Sequence, residues 1–505
     1  MSGWGKVGGF TGAALLIGVL LLGFVNYKAA VASFTHDESF TTLHFFPQPE
    51  LDILFYRHPY TSVITNNHIL NTFLMKLSES IFGLSEWALR LPNILALALY
   101  LVFAWRWSVL MRGLAGQTSA FLFLLANPYL IDFFGLARGY GLAAGFMLAA
   151  LYSLYTFLEK KRLSQLVLFH LLAIFSVMSN FALLNFYVAA LFCLYVLPLL
   201  QGDLTLLYSR KHWKLHLLNA SGAGLLVALL YAPFKVILEN QTVSFGGKQG
   251  FFADTVLSLV YRFLYEVPLP SFWQRIMGYF VCLSVLVPTV LILSKVVKRD
   301  LTFFKEHAAL FISNTICWLI ALMTIVQHHW LGQDYLRDRF AIFLYPLFAL
   351  NLIFFFRWMA SHHRTYRTAL LLLGTIAGIF TLHTIARLNT SYYLNWKYDK
   401  DTKQAMTILQ TLDPGRPDVP QLKIGVYHML EPTMNLYRQW WGLHFMLRFD
   451  REPPDAKDDL VFMLEREMEQ AGLSMKEKNV LFRSPETGLI LLDRRTETGG
   501  RERLE

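Results

Sequence analysis

Between residues 7 and 387 this chain keeps returning to apolar stretches about as long as a bilayer is thick, and that pattern limits the fold more than any motif. A helix needs about 20 apolar residues to cross the hydrocarbon core. Stretches of this kind fall at 7–27, 92–111, 118–134, 141–158, 164–179, 183–200, 217–238, 273–294, 308–327, 340–357 and 368–387, which makes about eleven expected spans. The fifth and sixth are short and nearly continuous, with Ser179-Asn180 as the expected turn. Only 16% of the residues are charged and 55% are hydrophobic, whereas soluble domains carry roughly 25% charged residues. The expected fold is an all-α polytopic membrane protein. Ala30-Val31-Ala32 has the form of a signal-peptide cleavage site. The apolar run before it is nearly long enough to span, so an uncleaved first helix is the preferred reading.

A net charge of +10 raises the question of nucleic acid. The basic residues, however, lie in short clusters between apolar segments, which orients helices and does not line a phosphate-tracking groove. Membrane lipids are the expected partners, and nucleic acid is not. Arg112; Lys160, Lys161 and Arg162; Arg210, Lys211 and Lys214; Lys295, Lys298, Arg299 and Lys305; and Arg357, Arg364 and Arg367 occupy alternate loops. That side is read as cytoplasmic. The 28–91 segment, Arg138, the 239–272 and 328–339 segments and everything after about residue 388 then lie outside. Cys193, Cys282 and Cys317 sit in apolar stretches without metal-ligand spacing, so no disulfide or zinc framework is expected.

The domain reading is a transmembrane body over 1–387, with 28–91 as its first outer loop, then a small extracytoplasmic α/β domain over 388–495 and a frayed tail over 496–505. Apolar residues at helical spacing (Ile69, Phe73, Leu74, Leu77, Ile81) ahead of Gly83 predict an amphipathic surface helix. The 250–266 stretch, with Phe251, Phe252, Val256, Leu259, Val260 and Phe263, reads as another. In the tail, Lys423–Tyr427, Leu460–Met463, Val480–Arg483 and Leu489–Leu492 read as strands, and Met434–Trp441 and Glu465–Ala471 as helices.

Chemistry-bearing residues gather on the outer side. His36-Asp37-Glu38 follows the first span directly, where charge is costly and marks a pathway or a site. A carboxylate at the water–lipid boundary can serve as a general base, while the plain alternative is two solvated charges at a helix end. Asn67 and His68 precede the surface helix. Either could bind substrate, and Asn67 could equally cap the helix. Arg57 and His58 lie nearby. Arg138, in Ala137-Arg138-Gly139-Tyr140-Gly141, could snorkel to headgroups or clamp a lipid-linked phosphate through its planar fork. Arg337 and Arg339 flank Asp338 just before a span and could hold a lipid phosphate or anchor a helix end. His328 and His329 receive no role, and Arg90 is read as orienting the second span.

In order and on a common side, His36-Asp37-Glu38, Asn67-His68-Ile69-Leu70-Asn71, the run Phe82-Gly83-Leu84-Ser85-Glu86-Trp87-Ala88-Leu89-Arg90-Leu91-Pro92, then Arg138-Gly139-Tyr140 and Asp338-Arg339-Phe340 resemble the GT-C superfamily of integral-membrane glycosyltransferases. Within it they resemble the branch of dolichyl-phosphate-mannose–protein mannosyltransferases and bacterial lipid A aminoarabinose transferases. The resemblance is strongest over 36–92. It departs at His68-Ile69-Leu70-Asn71, where many relatives have His-Pro-Pro-Leu.

The resemblance implies a GT-C fold and inverting transfer of a sugar from a polyprenyl-phosphate donor to an acceptor hydroxyl, at the periplasmic face of a bacterial inner membrane. The acceptor, whether glycan, lipid or protein, is not specified. Asp37 would be the base and Glu38 its orienter or a metal ligand. Arg138 with Tyr140, and Arg337 or Arg339, would hold the leaving phosphate, and His36, Asn67 and His68 would contact substrate. A divalent metal is compatible with this chemistry, but no ligand set is legible. Two other classes remain: a transporter or lipid flippase, which would place ionisable groups in mid-span, and a non-catalytic membrane scaffold, in which the acidic pair would be dispensable.

Overall fold

Each of the eleven stretches expected to span forms helix in the computed structural model. It describes residues 4–57, 66–203, 205, 209, 212–240, 246–415, 421–455, 457–468, 473 and 479–495. His58, Arg210, Lys211, residues 469–471 of the expected Glu465–Ala471 helix, and the tail 496–505 lie outside the described residues. In chain order the helices are α1 (Trp4–Val31), α2 (His36–Phe45), α3 (Glu50–Leu54), α4 (Ile69–Phe82), α5 (Glu86–Val109), α6 (Gly113–Leu125), α7 (Pro128–Phe134), α8 (Gly139–Lys160), α9 (Leu163–Ser179) and α10 (Leu184–Leu200). There follow α11 (Trp213–Asn240), α12 (Leu257–Leu264), α13 (Ser271–Val297), α14 (Leu301–Glu306), α15 (Ala308–Leu331), α16 (Leu344–Met359), α17 (Tyr366–Arg387), α18 (Thr402–Gln410), α19 (Glu431–Trp440) and α20 (Glu465–Met468).

Among the described residues, eight helices are long and apolar enough to cross a membrane. The expected third span is a pair, α6 and α7, bent by 68°. The break has a local cause. Pro128 cannot donate to a continuing helix, and the Asn127 side chain caps the new one by accepting from the Leu130 N–H at 3.0 Å. The two remaining segments, α9 and α16, are apolar but shorter, at 17 and 16 residues. The protein is an integral membrane protein of helical type.

The chain divides into two compact units. The first comprises Met1–Asn26, Glu50–Met75 and Arg90–Leu388. Polar pairs link its helices. Asn185 and Gln327 exchange two bonds of 3.0 Å between α10 and α15. Asn314 donates to Asn351 at 3.1 Å between α15 and α16. The His170 ring is held by the Tyr187 hydroxyl at 2.9 Å and the Asn219 amide at 3.0 Å. Mutually satisfied polar groups of this kind act as glue between membrane helices.

The second unit comprises Tyr27–Pro49, Lys76–Leu89 and Asn389–Glu505. Its sheet contains β1 (Ile424–Val426), β2 (Leu460–Leu464), β3 (Val480–Arg483) and β4 (Leu489–Asp493), in the order β1-β2-β4-β3. β1 runs parallel to β2, and the other pairs are antiparallel. All of β2 and nearly all of β4 are buried, as expected of central strands covered on both faces, whereas edge strand β3 alternates. Val461, Met463, Ile490 and Leu492 form one core with Met468 and Leu473. This is the small C-terminal α/β element expected from the sequence. Residues 27–49, which carry the acidic pair, belong to the same unit.

Candidate functional site

The acidic pair opens a helix. Thr35 is the N-cap of α2, and Glu38 completes a capping box. Glu38 Oε2 accepts from the Thr35 N–H at 2.9 Å and from its hydroxyl at 3.0 Å, and the residue is fully buried. The second carboxylate of the pair therefore serves the cap. Asp37 sits one position earlier in the first turn, 9% exposed, where the helix dipole favours negative charge.

His36 is anchored at both its backbone and its ring. Its N–H donates to Asp399 Oδ2 at 2.6 Å. Its Nδ1 lies 2.7 Å from the Met429 carbonyl, which can only accept, so Nδ1 donates and Nε2 keeps the lone pair. Burial holds the imidazole below its ordinary pKa, against the pull of neighbouring Asp37. Half-buried, His36 forms a ring series with Phe40 and His44 along one face of α2.

Asp399, which the sequence reading missed, is 1% exposed. Burial pushes its carboxyl well up, assisted by the charges of Glu38 and Asp37. The folded protein therefore keeps a proton there that the unfolded chain releases above the ordinary value of 3.8, and ionisation favours unfolding as pH rises. Asp399→Asn is thus expected to raise Tm at neutral pH by about 2–4 °C. The gain should vanish on acidification to about pH 3–4, below which neither state ionises the residue. Thermal melts across that range check this; a gain that does not change with pH would mean the carboxyl titrates normally.

Tyr437 and Glu86 were also missed as site residues. Tyr437 is fully buried, accepts from the Phe34 N–H at 3.0 Å and donates to Glu86 Oε1 at 2.9 Å. Glu86 pairs with Lys403 at 2.8 Å. Nothing in the sequence signals Tyr437, some 400 residues away in the chain; Glu86 was visible within a motif but had no assignable job.

In the first unit, Asn67 and His68 brace the chain before α4. Asn67 donates to the Ile53 carbonyl at 3.0 Å and accepts from the Thr72 hydroxyl at 2.9 Å. His68 Nδ1 lies 2.8 Å from the Ser179 carbonyl, and its ring meets Tyr140 edge-on at 4.9 Å. Tyr140 is buried among His68, Phe133 and Phe340. Arg138 is 2% exposed, stands at the N-cap of α8 and donates to the Asn66 carbonyl at 3.0 Å. Arg57 is mostly exposed and lies 3.9 Å from Asp52.

Two amides fix the Arg138 turn. Asn71 donates to the Ala137 carbonyl at 3.0 Å and accepts from Asn93 at 2.8 Å, and Asn93 accepts from the Leu142 N–H at 3.1 Å. Asn71, one of three residues in His68-Ile69-Leu70-Asn71 that differ from His-Pro-Pro-Leu, thus has a definite structural job.

Asp338, with φ of 52°, is bound by Arg262 through two contacts of 3.1 Å. Arg337 reaches the same carboxylate only at 3.8 Å and is 56% exposed. Arg262, which the sequence reading did not single out, therefore makes the closer ion pair with Asp338. Arg339 lies over the Phe340 ring at 5.3 Å. Asp132 accepts from the Tyr265 hydroxyl at 2.7 Å. Among the described residues no group of three or more His, Cys, Asp or Glu side chains is arranged to hold a metal ion.

Helical spans joined to a small mixed sheet define a polytopic membrane protein with a C-terminal α/β element. No protein-family model matches the chain, and no curated protein matches it. Among solved structures, it is similar to ArnT from Cupriavidus metallidurans bound to undecaprenyl phosphate, at 13% identity and a TM-score of 0.46, covering 98% of this chain and 99% of that one. It is also similar to the apo state of that ArnT, at 12% identity and a TM-score of 0.39, with the same coverage.

Proposed function

We propose that this protein is a membrane glycosyltransferase that moves a sugar from a polyprenyl-phosphate donor to an acceptor hydroxyl, with inversion, on the periplasmic face of a bacterial inner membrane. The observation that supports the reading is the division of labour in the acidic pair: Glu38 caps α2, which makes Asp37 beside it our choice of base. In the reaction the acceptor oxygen attacks the anomeric carbon from the face opposite the phosphate. The carbon–oxygen bond to phosphate breaks, its electron pair leaves with the phosphate, and the hydroxyl proton passes to Asp37. A phosphate leaving group needs cations more than a general acid. Arg138, with Arg337 and Arg339, supplies them, while Tyr140 and His68 hold the Arg138 turn in place. No step requires a metal. The acceptor class stays open among glycan, lipid and protein.

Transport is disfavoured because the Asn185–Gln327 and Asn314–Asn351 pairs inside the spans are uncharged amides, whereas transport pathways carry ionisable groups in mid-span. The test is purified protein in proteoliposomes with a polyprenyl-phosphate sugar and candidate acceptors. Donor consumption with inverted product stereochemistry is expected, and flux without transfer would reverse the reading. Arg138→Ala is expected to lower kcat/KM for the donor by about a hundredfold to a thousandfold, and Arg138→Lys by less, because the planar fork is lost while the charge stays. Unchanged donor kinetics in Arg138→Ala would remove that residue from the phosphate site.

A further inference from the structure

The turn that delivers Asp37 is held by side chains far away in sequence. Three consecutive backbone N–H groups, those of Phe34, Thr35 and His36, are each taken by a buried side chain: Tyr437 Oη at 3.0 Å, Glu38 Oε2 at 2.9 Å and Asp399 Oδ2 at 2.6 Å. Behind Tyr437 the chain of contacts continues to Glu86 at 2.9 Å and Lys403 at 2.8 Å. The Phe34 ring packs on Tyr437 at 5.4 Å and Trp440 at 5.9 Å. All of these residues belong to the second unit. A helix start leaves its first N–H groups without partners within the helix, and solvent or one cap residue normally suffices. Here α19 and the Leu394–Asp399 segment each send a buried polar group to one short turn, and Glu86 at the start of α5 backs Tyr437. Supports of this kind hold a reacting group within a few tenths of an ångström of its productive position.

We propose that Asp399 and Tyr437, with Glu86 behind Tyr437, are positioning residues for Asp37, acting through the backbone of residues 34–36 to fix where its carboxylate meets the acceptor hydroxyl. The proposal rests on the reading of Asp37 as proton acceptor. It gives Glu86, in the Phe82–Pro92 motif, a role: its charge orients the Tyr437 hydroxyl. It also makes the C-terminal element part of the catalytic apparatus, since Asp399 and Tyr437 both come from it. Positioning should appear in turnover and leave donor binding alone, because a displaced base impairs the proton-transfer step and not the binding of the donor.

The test uses the full chain in lipid nanodiscs, with two readouts. Asp399→Ala and Tyr437→Phe are expected to lower kcat by about tenfold to a hundredfold with donor KM within about twofold of wild type. Asp399→Asn keeps an acceptor oxygen for the His36 N–H and should recover most of the loss seen in Asp399→Ala. Independently of activity, amide hydrogen exchange over residues 33–38 should accelerate by about tenfold in Asp399→Ala and Tyr437→Phe, with exchange in the β2–β4 core unchanged. Wild-type kcat in both variants overturns the proposal, as does a fall in kcat without faster exchange over 33–38. The reading of Asp37 as base is judged separately, by Asp37→Asn in the otherwise wild-type protein, so each idea can fail while the other stands.

Discussion

Asp37→Asn is expected to reduce sugar transfer by about a hundredfold to ten-thousandfold, the range a positioned general base contributes, while the protein still inserts and melts as a folded species. The amide matches the carboxylate in shape but cannot take the acceptor proton. The substitution removes the carboxylate's interaction with the start of α2, about 0.3–1 kcal/mol, and keeps the side chain's shape. Donor KM should stay close to wild type, since the arginines assigned to the phosphate are untouched. Glu38→Gln is the informative companion. Its amide oxygen can still accept from the Thr35 N–H, and the cap is worth about 1 kcal/mol, so its loss should be much the smaller. Initial rates of polyprenyl-phosphate release and melting temperatures for both variants decide the matter. Wild-type turnover in Asp37→Asn would remove the base, and a larger defect in Glu38→Gln would exchange the roles of the pair.

What the sequence made legible follows from the range of the forces involved. Hydrophobic periodicity is local, so helix could be read over all eleven apolar stretches and over Ile69–Phe82, the latter to its ends, while eight of the described helices are long and apolar enough to cross a membrane. The 68° break at α6–α7 was missed, although Asn127-Pro128 is a local cap-and-proline signal, because the hydropathy runs on through it. The strands were found within a residue or two, but α18 was not, since its nine residues are only partly apolar. At the site, Asp37, Glu38 and Arg138 stood out as charges in costly places. Their supports did not. Asp399, Tyr437 and Asn71 are single polar residues whose importance lies in which distant N–H or carbonyl they meet, and no periodicity encodes that. Glu38 shows the converse: its T-x-x-E spacing from Thr35 is a capping-box signature, legible all along but overshadowed by the adjacent aspartate.

Gly139→Ala is expected to lower transfer at least about a hundredfold, the cost of misplacing a reacting or binding group by an ångström, and to destabilise the protein by about 1–3 kcal/mol through overpacking. The cause is steric. A Cβ at Gly139 would overlap the backbone carbonyl oxygen of Ser179 and come to 2.8 Å from His68 Nδ1. Those two groups are themselves joined at 2.8 Å. The Ser179 carbonyl ends α9, which packs along α8, so it cannot swing away as a flexible side chain would. Relief requires moving the first turn of α8, and Arg138 at its cap and Tyr140 within it move together. Gly224→Ala is the control. It lies in α11 with nothing within 4 Å of its Cβ position, and alanine is favoured over glycine in a helix by about 0.8–1 kcal/mol, so melting and transfer should match or slightly exceed wild type. Equal behaviour of the two variants would refute the packing argument. A sharper discrimination comes from adding His68→Ala to Gly139→Ala. Removing the imidazole clears the 2.8 Å contact but leaves the carbonyl of Ser179 in place, so activity should not return. Recovery would put the obstruction at the ring and leave α8 free to accept a methyl group.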